Sequence, residues 1–185
     1  RHLLKQMEEL LNRCASDNER FVLFLLDINR FKTINDGLGH KVGDMFLQEI
    51  ARRLQLLGNE QCSFYRLNGD EFVCLLSDLT KLEEVRDQIL AVFKESFTFS
   101  DYEFYSSVSV GYSLYPDHAE TVTDLLKCAD LAMYAAKKKQ ANMCVAFSEH
   151  LNDFSDNVLM LETKLHRALR DEVFMLHYQP KINIQ

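Results

Sequence analysis

Three acidic positions are the first candidates for chemistry in this chain. Asp27 closes an apolar run, Phe21 to Leu26, while Asp70-Glu71 follow an Asn68-Gly69 pair and open a second run, Phe72 to Leu76. A carboxylate at the mouth of a buried strand costs on the order of several kcal/mol unless it is paired, protonated or bound to a metal. If the two strands are neighbours, three carboxylates meet at one edge of a sheet. Hard oxygen ligands without His or Cys suit Mg²⁺ or Mn²⁺, and Mg²⁺ readily shares its shell with substrate phosphates. Taken alone, Asp70-Glu71 fit equally well two unrelated surface acids beside a tight turn.

Those acids need a frame, and the hydrophobic spacing predicts one. Leu3, Leu4, Met7, Leu10 and Leu11 mark a packed helix over 2–13. So short an uninterrupted run as Phe21–Leu26 reads as a strand covered on both faces, although periodicity alone also admits a helix segment. Val42, Phe46, Ile50, Leu54 and Leu57 predict a helix of about four turns, ended by Gly58-Asn59. Segments 62–67 and 70–76 flank Asn68-Gly69 and read as a hairpin with a type I′ turn, which needs positive φ at both central residues. Residues 80–94 read as a helix and 97–115 as a second hairpin. Leu125, Leu126, Ala129, Ala132, Met133 and Ala136 stripe a further helix, and 143–147 add an edge strand. This order implies an α+β fold, a sheet with helices packed over it.

The organisation expected is a domain over 1–147, a polar linker over 148–157, and a further piece over 158–185. That last piece opens with a helix to residue 170 and a strand, Phe174 to Tyr178. A net charge of −7, from 21 basic and 28 acidic residues, argues against a nucleic-acid binder. The one basic run, Lys137-Lys138-Lys139, suits the end of a helix, where it is solvated or touches a phosphate. No apolar run has the roughly 20 residues a membrane helix needs, so no membrane contact is expected from this stretch. The five cysteines lack a Cys-x-x-Cys spacing and sit among apolar neighbours, as in reduced, cytoplasmic proteins. The six histidines form no His-x-x-x-His pair, which makes a zinc site unexpected. Arg1 enters a helical pattern without a starting methionine, so a longer parent is expected, with membrane anchoring possible elsewhere in it.

The segment Asp27-Ile-Asn-Arg-Phe-Lys-Thr-Ile-Asn-Asp-Gly-Leu-Gly-His-Lys-Val-Gly-Asp44, with Arg66-Leu-Asn-Gly-Asp-Glu-Phe72, resembles the GGDEF family of diguanylate cyclases. Ser109-Val-Gly-Tyr-Ser113 and Ala129-Asp-Leu-Ala-Met-Tyr-Ala-Ala-Lys137 extend the resemblance over about 1–147. It implies a palm, or adenylyl-cyclase-like, fold with a central, mostly antiparallel sheet. It also implies the condensation of two GTP into cyclic di-GMP, one GTP on each subunit of a homodimer. By the same resemblance, Asp27, the Ile28 carbonyl, Asp70 and Glu71 are the metal ligands, and Asp70 is the base for the attacking 3′-hydroxyl. Lys32 stabilises the transition state, Asn35, His40 and Asp44 lie at the guanine, and Phe31 and Lys137 contact the GTP. Asn35-Asp36-Gly37 by itself reads as a turn.

Four positions depart from the family pattern. Asn68 stands for the first glycine of the signature. Gln140 and Ala141 stand for a glycine and an arginine, the latter a lost phosphate contact of about 1.5–3 kcal/mol. Asn29 replaces an acid that is not an assigned ligand. Asn59 and Cys62 occupy the Arg-x-x-Asp positions of product-inhibited members, so no inhibitory site of that kind is expected. Residues 161–181 resemble the entrance of an EAL phosphodiesterase domain, too short a piece to bury a core, which implies an intramolecular EAL partner in the parent. The leading reading is a Mg²⁺-dependent cyclase. The alternatives are a silent GTP-binding regulator of an attached phosphodiesterase and a dimerisation scaffold without nucleotide.

Overall fold

An unbroken apolar run is stable only where both faces of a strand are covered, and β1 (Phe21–Ile28) is such a strand, buried at all eight positions. The computed structural model describes residues 2–99 and 102–152, with Arg167 and Arg170. In chain order α1 (His2–Asp17) precedes β1; α2 (Phe31–Leu38) and α3 (His40–Gln55) lead to β2 (Cys62–Asn68) and β3 (Glu71–Leu76). A 3-10 turn at Leu79–Lys81 enters α4 (Leu82–Ala91); then come β4 (Phe97–Phe99), β5 (Tyr102–Phe104), β6 (Val108–Tyr115), α5 (Val122–Lys139) and β7 (Met143–Ala146). The chain divides into two units, Arg1–Leu151 and Asn152–Gln185, and all these elements belong to the first. The expected helix over 158–170 and strand over 174–178 fall outside the described residues, apart from Arg167 and Arg170.

The main sheet has the order β2-β3-β1-β6-β7. β1 runs antiparallel to both β3 and β6, β2 antiparallel to β3, and β7 alone is parallel to its neighbour. The alternation of side chains along β1 separates two cores. Val22, Phe24, Leu26 and Ile28 pack with Phe46, Ile50 and Leu54 of α3 and Val85 and Ile89 of α4. Phe21, Leu23 and Leu25 pack the other way, with Leu3 and Met7 of α1 and Leu125, Ala129 and Met133 of α5. Each such side chain stabilises the fold by roughly 1.5–3 kcal/mol. Asp27 is next in the second series, so its carboxylate points toward the α5 face.

The α5 contact is unusually close because it is made of small residues. A side-chain carbon at Gly111 of β6 would collide with the backbone of Ala129, Ala132 and Met133 on α5. The first face is tied differently. Arg53 of α3 donates to the Val92 and Ser96 carbonyls at 3.2 and 3.1 Å and lies 4.2 Å from the Phe97 ring centre. That clamp seats the small β4–β5 sheet against α3.

Three expectations are corrected here. The turn is not type I′ at Asn68-Gly69: only Gly69 has positive φ, at 44°, and Asn68 pairs with Glu71. A bulge between Arg66 and Asn68 moves the loop one residue on, and Arg66 Nε holds it by donating to the Gly69 carbonyl at 2.8 Å. Residues 97–115 are not one hairpin, because β4 pairs with β5 while β6 joins the main sheet between β1 and β7. Strand periodicity marks a strand but not its partner. Asn35-Asp36-Gly37 lie inside α2 rather than in a turn, because Phe31 and Ile34 pack on the α3 core and override weak helix formers.

Gly111→Ala is expected to cost at least about 3 kcal/mol, since backbone on both sides leaves nothing to yield. The midpoint of urea denaturation measures it. A loss below 1 kcal/mol, on the order of a surface change, would show that the β6–α5 contact is looser than described.

Candidate functional site

The sheet register gathers the acids. Asp27 pairs with Glu71 of β3 on one side and Ser109 of β6 on the other, all three on the face beneath α5. Facing residues of antiparallel strands stand roughly 5 Å apart at Cβ. Asp70 sits in the turn just before Glu71, and its carbonyl accepts from the Ile28 N–H at 3.3 Å. The Ile28 side chain is buried in the α3 core, which leaves its carbonyl as its polar contribution at this edge. From above, α5 brings Lys137, whose Nζ lies 2.7 Å from Asp27 Oδ1.

Burial raises the Asp27 carboxyl above its usual range, against the hydrogen bond and charge of Lys137, and the charges of Asp70 and Asp130 raise it further. Desolvation outweighs the ion pair because only 12% of the Asp27 side chain is exposed, against 39% for Lys137. Glu71 is raised by burial and then by Asp27, Asp130 and Asp70, while a hydrogen bond from the Asn68 side chain works the other way. Four acids thus crowd one sheet end with one ammonium among them. Two half-desolvated carboxylates and a backbone carbonyl are hard donors that fit a Mg²⁺-like ion. As they stand, no three His, Cys, Asp or Glu among the described residues converge on a single point, and Lys137 is the cation on Asp27.

The remaining expected residues occupy the α2–α3 corner. Lys32 on α2, His40 at the start of α3 and Asp44 one turn further along it are exposed. Asn35 is half-buried, and its Oδ1 lies against Gly43 with no hydrogen-bond partner, directly beside Asp44 in sequence. A buried acceptor without a donor is costly, and a ligand N–H would satisfy it. The Phe31 ring packs 6.3 Å from the Phe46 ring, so it faces the core, and only its backbone at the start of α2 faces outward. Positions 59 and 62 carry no charge outward: Cys62 is buried, its Sγ 3.5 Å from Cys74 Sγ, and Asn59 Oδ1 accepts from the Gln61 N–H at 2.9 Å. All five cysteines are free thiols, four buried and Cys144 partly so. No helix among the described residues is long and apolar enough to cross a membrane.

Two residues were missed by sequence reasoning. Asp130 acts on both Asp27 and Glu71 from α5, and its i, i+7 spacing to Lys137 was the signal that one helix face carries both. Asn29 anchors the end of β1: its N–H donates to the Ser107 carbonyl at 2.9 Å, its Nδ2 to Ser107 Oγ at 3.0 Å, and its Oδ1 accepts from Ser109 Oγ at 2.9 Å. Next to it a cleft of about 980 Å³ runs between α2, the β5–β6 loop and the end of α5, with Lys137 on its wall. Of the residues expected to touch GTP, only Lys137 borders that cleft.

Lys137→Met is expected to lower stability by about 1–3 kcal/mol, less than for a fully buried pair because Lys137 is part-exposed. Adding Asp27→Asn should recover more than half of that loss, because it removes the uncompensated charge. Thermal denaturation of the two single variants and the double variant tests the pairing. A double variant no more stable than Lys137→Met would show that the two groups are uncoupled.

Comparison with known proteins agrees with this fold. The family described as "Diguanylate cyclase, GGDEF domain" matches residues 1–143. The signaling protein YkoW of Bacillus subtilis is 35% identical over all of this chain and 24% of its own length. MucR of Pseudomonas aeruginosa, a bifunctional diguanylate cyclase/cyclic di-GMP phosphodiesterase, is 32% identical over 96% of this chain and 26% of its own length. PdeR of Escherichia coli, a cyclic di-GMP phosphodiesterase, is 34% identical over 95% of this chain and 27% of its own length. The chain therefore spans about a quarter of the length of these relatives. The crystallised GGDEF domain of TpbB from Pseudomonas aeruginosa superposes with a TM-score of 0.79 at 31% identity, over 84% of this chain and 92% of that one. With the palm-like sheet, the acids at its edge and the profile in agreement, this chain belongs to the GGDEF diguanylate cyclase domain family.

Proposed function

We propose that this domain condenses two GTP into cyclic di-GMP with Mg²⁺ or Mn²⁺, as a homodimer within a GGDEF–EAL tandem signalling protein of the cytoplasm. The observation that carries the proposal is the in-register Asp27–Glu71 pair beneath α5, with Asp70 beside it. Mutual repulsion and burial make those acids a site that a divalent cation would relieve. The names of MucR and PdeR, together with the resemblance of residues 161–181, support the tandem arrangement.

In this reading Asp27, the Ile28 carbonyl, Asp70 and Glu71 hold the ion, which when bound lowers the pKa of the 3′-hydroxyl and offsets charge on the α-phosphate. Asp70 takes the proton from the 3′-hydroxyl of the attacking ribose. The new bond forms from that oxygen to the α-phosphate of the partner's GTP, and the bond to the departing pyrophosphate breaks. Two such steps close the ring. Lys32 stabilises charge on the phosphates. The Phe31 backbone N–H, at the start of α2, is free to meet a phosphate oxygen. At the α2–α3 corner, the orphan Asn35 Oδ1 accepts from guanine, Asp44 accepts from N1–H and N2–H, and His40 borders the base. Lys137 exchanges Asp27 for the triphosphate when nucleotide and metal arrive.

A second reading is favoured by a specific pair of contacts. Lys137 already neutralises Asp27, and Asn68 holds Glu71 where the family has glycine. A domain held in that state binds GTP without turning it over and regulates the attached phosphodiesterase.

Titration with GTP and Mg²⁺, followed by chromatography of the products, separates the two. Product selects the cyclase, GTP binding without product the regulator, and no binding removes both. Asp70→Asn is expected to reduce product formation by at least about 100-fold with an unchanged melting temperature; an unaffected rate would strip Asp70 of its role as base. Asn68→Gly is expected to raise the rate several-fold by freeing Glu71, and a slower variant would show that Asn68 does not restrain the site.

A further inference from the structure

Two thiols meet inside the hairpin whose turn carries Asp70. Cys62 opens β2 and Cys74 lies in the middle of β3, with 1% and 0% of their surfaces exposed, and their Sγ atoms are 3.5 Å apart. The register sets them diagonally, since Cys62 faces Leu76 and Cys74 faces Phe64. Both side chains enter the core on the α3 side. Among the described residues this is the one contact between two of the five free thiols.

The two sulfurs are chemically unequal. A hydrogen bond from the Cys74 S–H holds the Cys62 thiol below its ordinary value, against the effect of burial. Burial pushes the Cys74 thiol well above its ordinary value, and the contact with Cys62 raises it further. The thiolate is the nucleophilic form of sulfur, so Cys62 is the one suited to attack first. Its place in the fold also gives it a route to solvent. β2 is an edge strand of the main sheet. Ahead of it an isolated bridge joins Cys62 to Asn59 through N–H to carbonyl bonds of 2.8 and 3.2 Å, with the exposed Glu60 and Gln61 between them. Strand ends open at low free energy, and opening this bridge uncovers Cys62 while the central strands stay paired.

We propose that Cys62 and Cys74 are a modification site: they join in a reversible disulfide when the protein meets hydrogen peroxide, stapling the edge strand to β3. The Cys62 thiolate attacks one peroxide oxygen, the O–O bond breaks, and the departing hydroxide takes up the Cys62 proton as water. The Cys74 sulfur then attacks the Cys62 sulfenic acid. The S–S bond forms, the S–O bond breaks, and the second hydroxide leaves with the Cys74 proton as water. Two thiols together lose two electrons, and peroxide accepts them. Diagonal strand partners stand roughly 7–8 Å apart at Cα, wider than the roughly 4.4–6.8 Å usual across a disulfide, so the link is readily reduced again. Such a link suits transient oxidation in a reducing compartment rather than a permanent brace. It is independent of the GTP reading above.

The test exposes the purified protein to hydrogen peroxide, counts free thiols, and maps the products by mass spectrometry of tryptic peptides. The expected result is the loss of two of the five thiols, a chain lighter by two hydrogens, and a linked peptide pair containing Cys62 and Cys74, all reversed by dithiothreitol. Retention of all five thiols under conditions that oxidise free N-acetylcysteine overturns the proposal, as does a link through another cysteine or between chains. Cys14→Ala, Cys128→Ala and Cys144→Ala, each made singly, are expected to leave the link in place, and its loss in any of them overturns the pairing. With dimedone present, Cys62 is expected to be labelled as the sulfenic acid in Cys74→Ala, and Cys74 to stay unlabelled in Cys62→Ala. The reverse labelling overturns the assignment of Cys62 as the attacking thiol.

Discussion

A carboxylate carried into the core by the central strand is the constraint on which the rest of this structure depends. Asp27 sits where the apolar run of β1 ends, with neighbouring strands on both sides and a helix above. Its desolvation would be prohibitive without a compensating positive charge, and Lys137 provides that charge from the last turn of α5. The neighbouring acids Glu71, Asp70 and Asp130 sharpen the imbalance rather than relieve it. The sheet end therefore carries excess negative charge and hard oxygen donors, with Lys137 as the cation on Asp27.

The placement of Lys137 follows from packing on the opposite side of the sheet from the aromatic core. On the α3 side, Phe24, Phe46, Phe93 and Phe97 fill a wide space, and Phe46 meets Phe97 edge-on with ring centres 4.7 Å apart. On the α5 side, Gly111 and the alanines at 129, 132 and 136 allow backbone to approach backbone. Large residues make one face a thick support, and small residues make the other a close seat for the helix. Ser113 Oγ adds a bond to the Leu125 carbonyl at 2.9 Å, which fixes α5 against sliding. The cation over Asp27 is thus set by packing well away from it.

Polar contacts govern the other margin of the site. Asn29 joins the end of β1 to the segment before β6, and so fixes where α2 begins. The α2–α3 corner then brings Asn35 against Gly43, where any larger residue would displace the amide. The result is an acceptor left without a donor beside an exposed Asp44. Such an arrangement is unfavourable for folding, because a buried acceptor is left without a donor.

Much of this was legible in the residues. The all-buried strand, the helix stripes and the acids at the strand ends follow from period and residue type, because apolar faces must be covered and charges must not be. The α+β class and the signature segments belong to the same level of information. What the sequence could not contain is partnership. The run over 97–115 announced strands, yet only long-range pairing sent β6 to the main sheet and left β4 and β5 apart. Asn68-Gly69 announced a tight turn, but a bulge at Leu67 and the Arg66 contact moved it by one residue. Asn35-Asp36-Gly37 reads locally as a turn, and contact with the α3 core made it helix. The roles of Asp130 and Asn29, and the pairing of Lys137 with Asp27, arise from contacts between elements distant in the chain. Local chemistry determines which residues can serve, whereas distances between them are set by packing, and packing is a property of the whole fold.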